Sequence, residues 1–242
     1  MKIHVGCCGI PGGLRKYSQL FRVVEINSTF YRLPKLETAL KWRSQVPEDF
    51  VFCLKAFQGI THPITSPTWK RSGIKDYQKL GEKVGFLRTS KEVLKFWEDT
   101  IQICRALRAR VCLLQLPASF KESSENRKAV KAFFSKVKRD RVSIALELRG
   151  WDEDTFAALC KELDLIEVTD PFVRLPSYVK KVAYFRLHGS YNRGRINYNY
   201  RYSVGELRQL REKLNEVKAD EIFVLFNNTY MRESAESFLK LI

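Results

Sequence analysis

Short apolar runs rich in β-branched residues recur along the chain at IHVGCCG (3–9), RVVEIN (22–27), FVFCLKAF (50–57), RVCLLQLP (110–117), VSIALELR (142–149), LIEVTD (165–170), VAYFRLHG (182–189) and EIFVLFNN (221–228). Each has the length of a strand. Between most of them the apolar positions fall three or four apart, predicting helices over 36–45, 90–108, 125–138, 152–163 and 203–217, with a last one at 231–241. Strands alternating with helices call for a parallel sheet, and eight such units close most naturally into an α/β fold of the (β/α)₈ TIM-barrel type, one domain over residues 1–242. An open doubly wound sheet is the competing layout. Against it, GCCGIPGG after the first strand matches neither the dinucleotide nor the P-loop glycine spacing. Segment 10–21 predicts only a short helix, and PFVRLPSYV a loop or single turn. The extended loop at 58–90, after the third strand, is long enough for a lid or a small subdomain.

A second period runs inside the strands. In VSIALELR the residues Val142, Ile144, Leu146 and Leu148 share one apolar face, which belongs against the helices, so Glu147 and Arg149 point into the barrel. The same parity groups Arg186 with His188 and Glu25 with Asn27, and it sets Lys55 opposite Phe52 and Leu54. Gln115, Asp170 and Asn227 likewise end their strands. Singly, each of these ten is as consistent with a salt bridge capping the core as with a site. Together they lie at the C-terminal pole, where barrel enzymes carry their chemistry.

Composition adds a basic character: 43 Lys and Arg against 27 Asp and Glu, a net charge of +16. Such an excess points to a polyanion only where it is concentrated on one face. Here residues 127–141 are as basic as 180–211, a spread that fits a solvated surface equally well. No apolar run is long enough to cross a bilayer and the first strand pattern begins at Ile3, so the expectation is a cytoplasmic protein without a membrane partner. The six cysteines have neither zinc-ligand spacing nor a CxxC pair, and read as reduced core thiols. Alternation sends one of Cys7 and Cys8 toward the site.

At the polar pole Glu25, Glu147 and Asp170 face Lys55, Arg149 and Arg186, with His188 able to carry either charge state. Each carboxylate has a potential cationic partner, so this balance does not favour a metal, and no cofactor is indicated. Arg149 and Arg186 suit a phosphate or carboxylate. Lys55, Glu147, His188 and Glu25 are the candidates for proton transfer. His62 fits a loop histidine satisfying backbone groups as well as a ligand contact. Trp151 fits packing as well as a pocket wall. In FRLHGSYNRGRINYNYRY, parity places Arg186 and His188 in the pocket and residues 190–202 above it, with Tyr191, Arg193, Arg195, Tyr198 and Tyr200 as a rim.

Seven blocks carry a family resemblance: VEINSTFYRLP (24–34), FCLKAFQGITH (52–62), LLQLPASF (113–120), LELRGW (146–151), VTDPF (168–172), YFRLHG (184–189) and VLFNNT (224–229). In this order they resemble the YecE-like family, also called domain of unknown function 72. The resemblance implies a TIM barrel and no established activity. It points to Glu25, Asn27, Tyr31, Lys55, His62, Gln115, Glu147, Arg149, Asp170, Arg186, His188 and Asn227 as the characteristic polar positions. The chain departs from the family at GCCGIPGG, where an aromatic GTSGW-like segment is usual, and after the paired Asn, where a glycine usually follows. The leading expectation is an enzyme using acid/base residues and Arg anchors on an anionic ligand. A nucleic-acid-binding or endonuclease-like barrel is the first alternative, on the charge and the Tyr/Arg rim. A non-catalytic binding barrel is the second.

Overall fold

The structure is a computed structural model and describes residues 1–192 and 194–242. The first half of the chain runs β1 (Lys2–Cys7), α1 (Leu14–Leu20), β2 (Val23–Ile26), α2 (Ser28–Tyr31), α3 (Leu36–Ser44), β3 (Val51–Lys55), α4 (Gln58–Thr61), α5 (Lys91–Leu107) and β4 (Val111–Gln115). The second half runs α6 (Ser124–Lys136), β5 (Ser143–Glu147), α7 (Glu153–Leu163), β6 (Ile166–Thr169), β7 (Val182–Leu187), β8 (Ser190–Asn192), β9 (Arg195–Asn197), α8 (Val204–Asn215), β10 (Glu221–Phe226) and α9 (Met231–Leu239). Strands β1, β10, β7, β6, β5, β4, β3 and β2 pair in that order, all in parallel, and β1 with β2 closes the ring. This is the (β/α)₈ barrel expected from the periodicity, with each barrel strand within a residue or two of its predicted ends.

Strand parity divides the core into two layers. Ile144, Leu146, Phe185, Leu187, Phe52 and Leu54 face outward and pack under the helices. Val23, Cys53, Val111, Leu113, Ala145, Tyr184, Phe223 and Leu225 fill the lumen, as barrel interiors require. The filling is a stacked column: His4 lies on Phe223 at 4.6 Å between ring centroids, and Phe223 on Tyr184 at 5.6 Å. Cys7 belongs to the outer layer and Cys8 to the lumen. All six cysteines are buried and unpaired. Burial pushes the Cys7 thiol up to about 12, the expected behaviour of an inert core thiol.

The outer helices carry their own stop and start signals. Ser90 caps α5 by accepting from the Val93 amide, and Ser203 forms a capping box with Glu206 at α8. The connection at 58–90 is built around Trp69, which is fully buried, stacks on Tyr77 and meets Phe57 edge-on. One buried indole gives this segment a core of its own, and it packs as a small cap containing α4 and two 3₁₀ turns, Pro67–Arg71 and Tyr77–Lys83. Other short elements also escaped the periodicity. A single turn, α2, follows β2, and residues 190–192 and 195–197, read as loop, pair as the antiparallel hairpin β8–β9. No described helix is long and apolar enough to cross a membrane.

Candidate active site at the barrel mouth

Arg186, at the end of β7, sits in the centre of the mouth and is 1% exposed. Its Nε and Nη2 donate to Oε1 of Glu25 at 3.1 and 2.9 Å, and its Nη1 donates to Oε2 of Glu147 at 2.6 Å and to Oε1 of Gln115 at 3.3 Å. The Tyr184 hydroxyl donates to the other Glu25 oxygen at 2.8 Å, so the lumen column continues upward into this ion network. A planar guanidinium is the side chain that can join two carboxylates at fixed geometry, and burial makes each bond costly to lose. The sequence placed Arg186 in the pocket as an anion anchor. The structure places it beneath the pocket floor, with all three nitrogens already engaged. Glu25 is also completely buried.

Glu147 shares its second oxygen with Arg149, whose Nε and Nη2 lie at 3.2 and 3.0 Å. Burial drives the Glu147 carboxyl up, but the combined fields of Arg186, His188 and Arg149 outweigh it and hold the group well below the ordinary carboxylate range. At ordinary pH these neighbours keep it an anion. Arg149, by contrast, is part-exposed and lies beside the Tyr198 side chain as well as Glu147.

His188 continues β7 past Arg186. Its Nδ1 stands 3.3 Å from Oδ2 of Asp170, and the same oxygen accepts from the His188 amide at 3.0 Å and from the Tyr191 hydroxyl at 3.1 Å. Oδ1 of Asp170 accepts from the Phe172 amide, which fixes the carboxylate. An imidazole whose Nδ1–H points at a held carboxylate has its tautomer and ring plane set. Tyr191 comes from β8 and Tyr198 follows β9, the latter edge-on to the His188 ring at 6.0 Å. The hairpin therefore leans over the histidine. Its base is clamped by Tyr202, whose hydroxyl accepts from the Gly189 amide at 2.8 Å.

Gly189 joins the strand to this hairpin with φ +109°, and a Cβ there would lie 2.3 Å from the Asn197 carbonyl oxygen. Gly189→Ala is expected to shift the hairpin off His188 and lower stability by roughly 1–3 kcal/mol. Urea unfolding checks this; a change below about 0.5 kcal/mol, the range of a neutral surface substitution, would show that the hairpin adapts freely.

Lys55 ends β3 on the other side of the mouth. Its Nζ lies 3.9 Å from the centroid of the Phe30 ring. Thr29 sets that geometry by donating to the carbonyls of Ile26 or Lys55, tying α2 to the end of β3. Among the described residues Lys55 has no carboxylate within ion-pair distance, because Arg186 and Arg149 have claimed the nearby carboxylates. Burial lowers its pKa, the charge of Arg186 lowers it further, and Glu147 and Glu25 restore only part, leaving it at about 7. The side chain remains part-exposed at the mouth while being this crowded. His62 meets the same Phe30 ring edge-on at 4.7 Å, and its Nδ1 pairs with the Thr61 hydroxyl. Burial and then the charges of Lys55 and Arg149 take it down to about 3, so it is a neutral imidazole at ordinary pH.

The remaining sequence-predicted residues are brought to the same pole. Asn27 donates from Nδ2 to the Cys8 carbonyl, and the same group lies 3.3 Å from Oδ1 of Asn227. Tyr31 carries the Arg71 guanidinium on its ring at 3.6 Å, so it ties the mouth to the cap over β3. Asn228 holds Tyr200 and Ser234 and belongs to the scaffold. Tyr200 turns to Glu206 of α8, away from the rim position expected for it. Trp151 donates to the Phe120 carbonyl and stacks on that ring, while one side of it borders the cleft described next. Arg193 lies outside the described residues.

A cleft of about 600 Å³ opens over β5, β6 and β7, lined by Glu147, Arg149, Thr169, Asp170, His188 and the hairpin residues Tyr191, Arg195 and Tyr198. That volume holds a small ligand. Phe30, Tyr184 and Thr169 were missed by sequence reading. The first two look like core filler, and Thr169 like one more β-branched strand residue. The Thr169 hydroxyl is buried without a hydrogen-bond partner among the described residues. Among those residues, no three His, Cys, Asp or Glu side chains converge as metal ligands would.

A closed parallel barrel with interlocked charges at the C-terminal mouth defines the class: a TIM-barrel protein with a candidate site where such barrels place them. Within that class, the family described as "Protein of unknown function DUF72" matches residues 9–242, and the chain belongs to it. UPF0759 protein YunF of Bacillus subtilis is 24% identical over 256 residues, covering 93% of this chain and 83% of that protein. The solved DUF72 protein of Enterococcus faecalis superposes with a TM-score of 0.74 at 22% identity, covering 99% of this chain and 97% of that one. That of Thermotoga maritima gives 0.70 at 24%, covering 100% and 99%. Endonuclease IV of Thermus thermophilus shares the fold more distantly, with a TM-score of 0.51 at 9% identity, covering 100% and 97%.

Proposed function

We propose that the mouth is the active site of an enzyme acting on a small phosphate- or carboxylate-bearing ligand, with Arg149 as its anchor and Lys55 and His188 as its proton-transfer groups. The carrying observation is the unequal use of the two arginines. Arg186 is buried and spent on Glu25 and Glu147, whereas Arg149 is part-exposed, lines the 600 Å³ cleft and pairs with one carboxylate, Glu147. Thr169 adds a hydroxyl without a protein partner in the same cleft wall. In this reading Arg186 and Glu25 hold the floor, and Glu147 aims Arg149. Asp170 orients His188, and a lysine poised near neutrality supplies or accepts a proton without a large free-energy mismatch.

Titration calorimetry with inorganic phosphate and with malonate tests the anchor. Saturable binding is expected for the wild type, weakened at least about tenfold in Arg149→Gln, a loss of about 1.4 kcal/mol. Absence of saturable binding by both probes would overturn the reading.

A second reading rests on the hairpin. Tyr191 and Tyr198 are each 40% exposed and flank the exposed Arg195, an arrangement suited to stacking bases while neutralising phosphates. The distant likeness to endonuclease IV supports the fold alone. Oligonucleotide binding that weakens steeply between low and moderate salt favours this reading, and salt-insensitive binding counts against it.

A further inference from the structure

We infer that Lys55 is a covalent nucleophile, and that the ligand of this site is an anion bearing an aldehyde or ketone, such as a 2-oxo acid or a phosphorylated aldehyde, which Lys55 captures as an imine. This deepens the proposed function and rests on it for the anion anchor. Three observations carry it. Lys55 is a crowded amine at the catalytic pole, yet no carboxylate stands within ion-pair distance of it among the described residues. It is held instead against the face of Phe30. The charges of Arg186 and Arg149 both act against a protonated Lys55, and Glu147 and Glu25, already paired to them, offset this only in part. An amine in an apolar wall beside fixed guanidinium charges gives up its proton far more readily than a solvated one, which is how a lysine becomes a nucleophile.

The groups facing Lys55 allow a balanced step. Its Nζ lone pair attacks the carbonyl carbon, forming a C–N bond while the carbonyl π pair moves to oxygen. That oxygen takes up the proton that the new ammonium nitrogen gives up, giving a neutral carbinolamine. A second protonation expels it as water, leaving C=N–H⁺ on Lys55. No oxidant or reductant is consumed. Arg149 fixes the acid group of the ligand, His62 is a neutral imidazole beside the amine, and His188 is the proton carrier across the mouth. Glu25 and Glu147, tied to Arg186 and Arg149, attract the iminium charge without proton exchange of their own.

The test uses the full-length protein at pH 7 with glyoxylate and sodium cyanoborohydride, which reduces an imine to a stable secondary amine, followed by peptide mapping. Lys55 has about a thousandfold larger unprotonated fraction at that pH than an ordinary lysine. The expected result is one dominant reduced adduct at Lys55, at least about tenfold above any exposed lysine, suppressed by excess malonate and absent in Lys55→Arg. Labelling spread over exposed lysines with Lys55 unmodified would overturn the inference, and needs no variant to be seen. If malonate binds in calorimetry while Lys55 stays unlabelled, the imine is wrong and the anion site stands. If malonate and phosphate both fail to bind, the site reading itself fails.

Discussion

Arg186→Met is expected to destabilise the barrel by about 3–5 kcal/mol, the largest effect of any single substitution at the mouth. The methionine fills much of the same volume, so the loss is electrostatic: Glu25 and Glu147 remain buried and lose the guanidinium that each accepts from. The pH dependence follows from Glu147. Its folded pKa lies below its unfolded value, so it contributes stability that is present above the ordinary carboxylate pKa and is lost as pH falls through the folded value. The gap between wild type and Arg186→Met should therefore be widest at neutral pH and close on acidification below about pH 4. Adding Glu25→Gln and Glu147→Gln to Arg186→Met should recover part of the loss, since the two carboxylates left without the guanidinium are then uncharged. Guanidinium unfolding across pH 3 to 7 reads all three outcomes, and a gap under about 1 kcal/mol would show the network to be solvated rather than buried.

Lys55→Met should have the opposite signature: chemistry lost and stability gained. The folded amine has a pKa near 7 and the unfolded one near 10.4, so between those values the unfolded state holds the extra proton and wild-type stability rises with pH. Below pH 7 both states are protonated and the full cost of a crowded charge is present. The variant is expected to be more stable than wild type at pH 6 by about 1–3 kcal/mol, after subtracting the lost Phe30 contact, with the difference vanishing toward pH 10. The rate of imine trapping in the wild type should follow the same group, rising with pH to a midpoint near 7. A variant less stable than wild type at pH 6 would mean that Lys55 is a structural cation.

The barrel was legible because its two periods are independent of distance. Alternation in VSIALELR and VAYFRLHG placed Glu147, Arg149, Arg186 and His188 on one side of the sheet without knowledge of what they meet. What parity cannot supply is pairing. Arg186 and Glu25 are 161 residues apart, and nothing local distinguishes an arginine consumed by two carboxylates from one left for a ligand. Hence Arg186 and Arg149 read alike in sequence and differ in space. Phe30 and Tyr184 were read as apolar because their role depends on what stands over the ring or beyond the hydroxyl. The hairpin β8–β9 was read as loop for a related reason: three-residue strands have no room to show a period, and their pairing is fixed by Gly189 and Tyr202 at the base.

The aromatic column in the lumen has a consequence for proton traffic. His4, Phe223 and Tyr184 occupy the axis of the barrel up to Glu25 and Arg186, so the charged floor rests on packed rings and not on a water-filled bore. In the proposed reaction, protons reaching His188 come from solvent above it, past Tyr191 and Tyr198. In that reading the hairpin governs proton exchange at His188, and hydrogen–deuterium exchange at the mouth should track its movement.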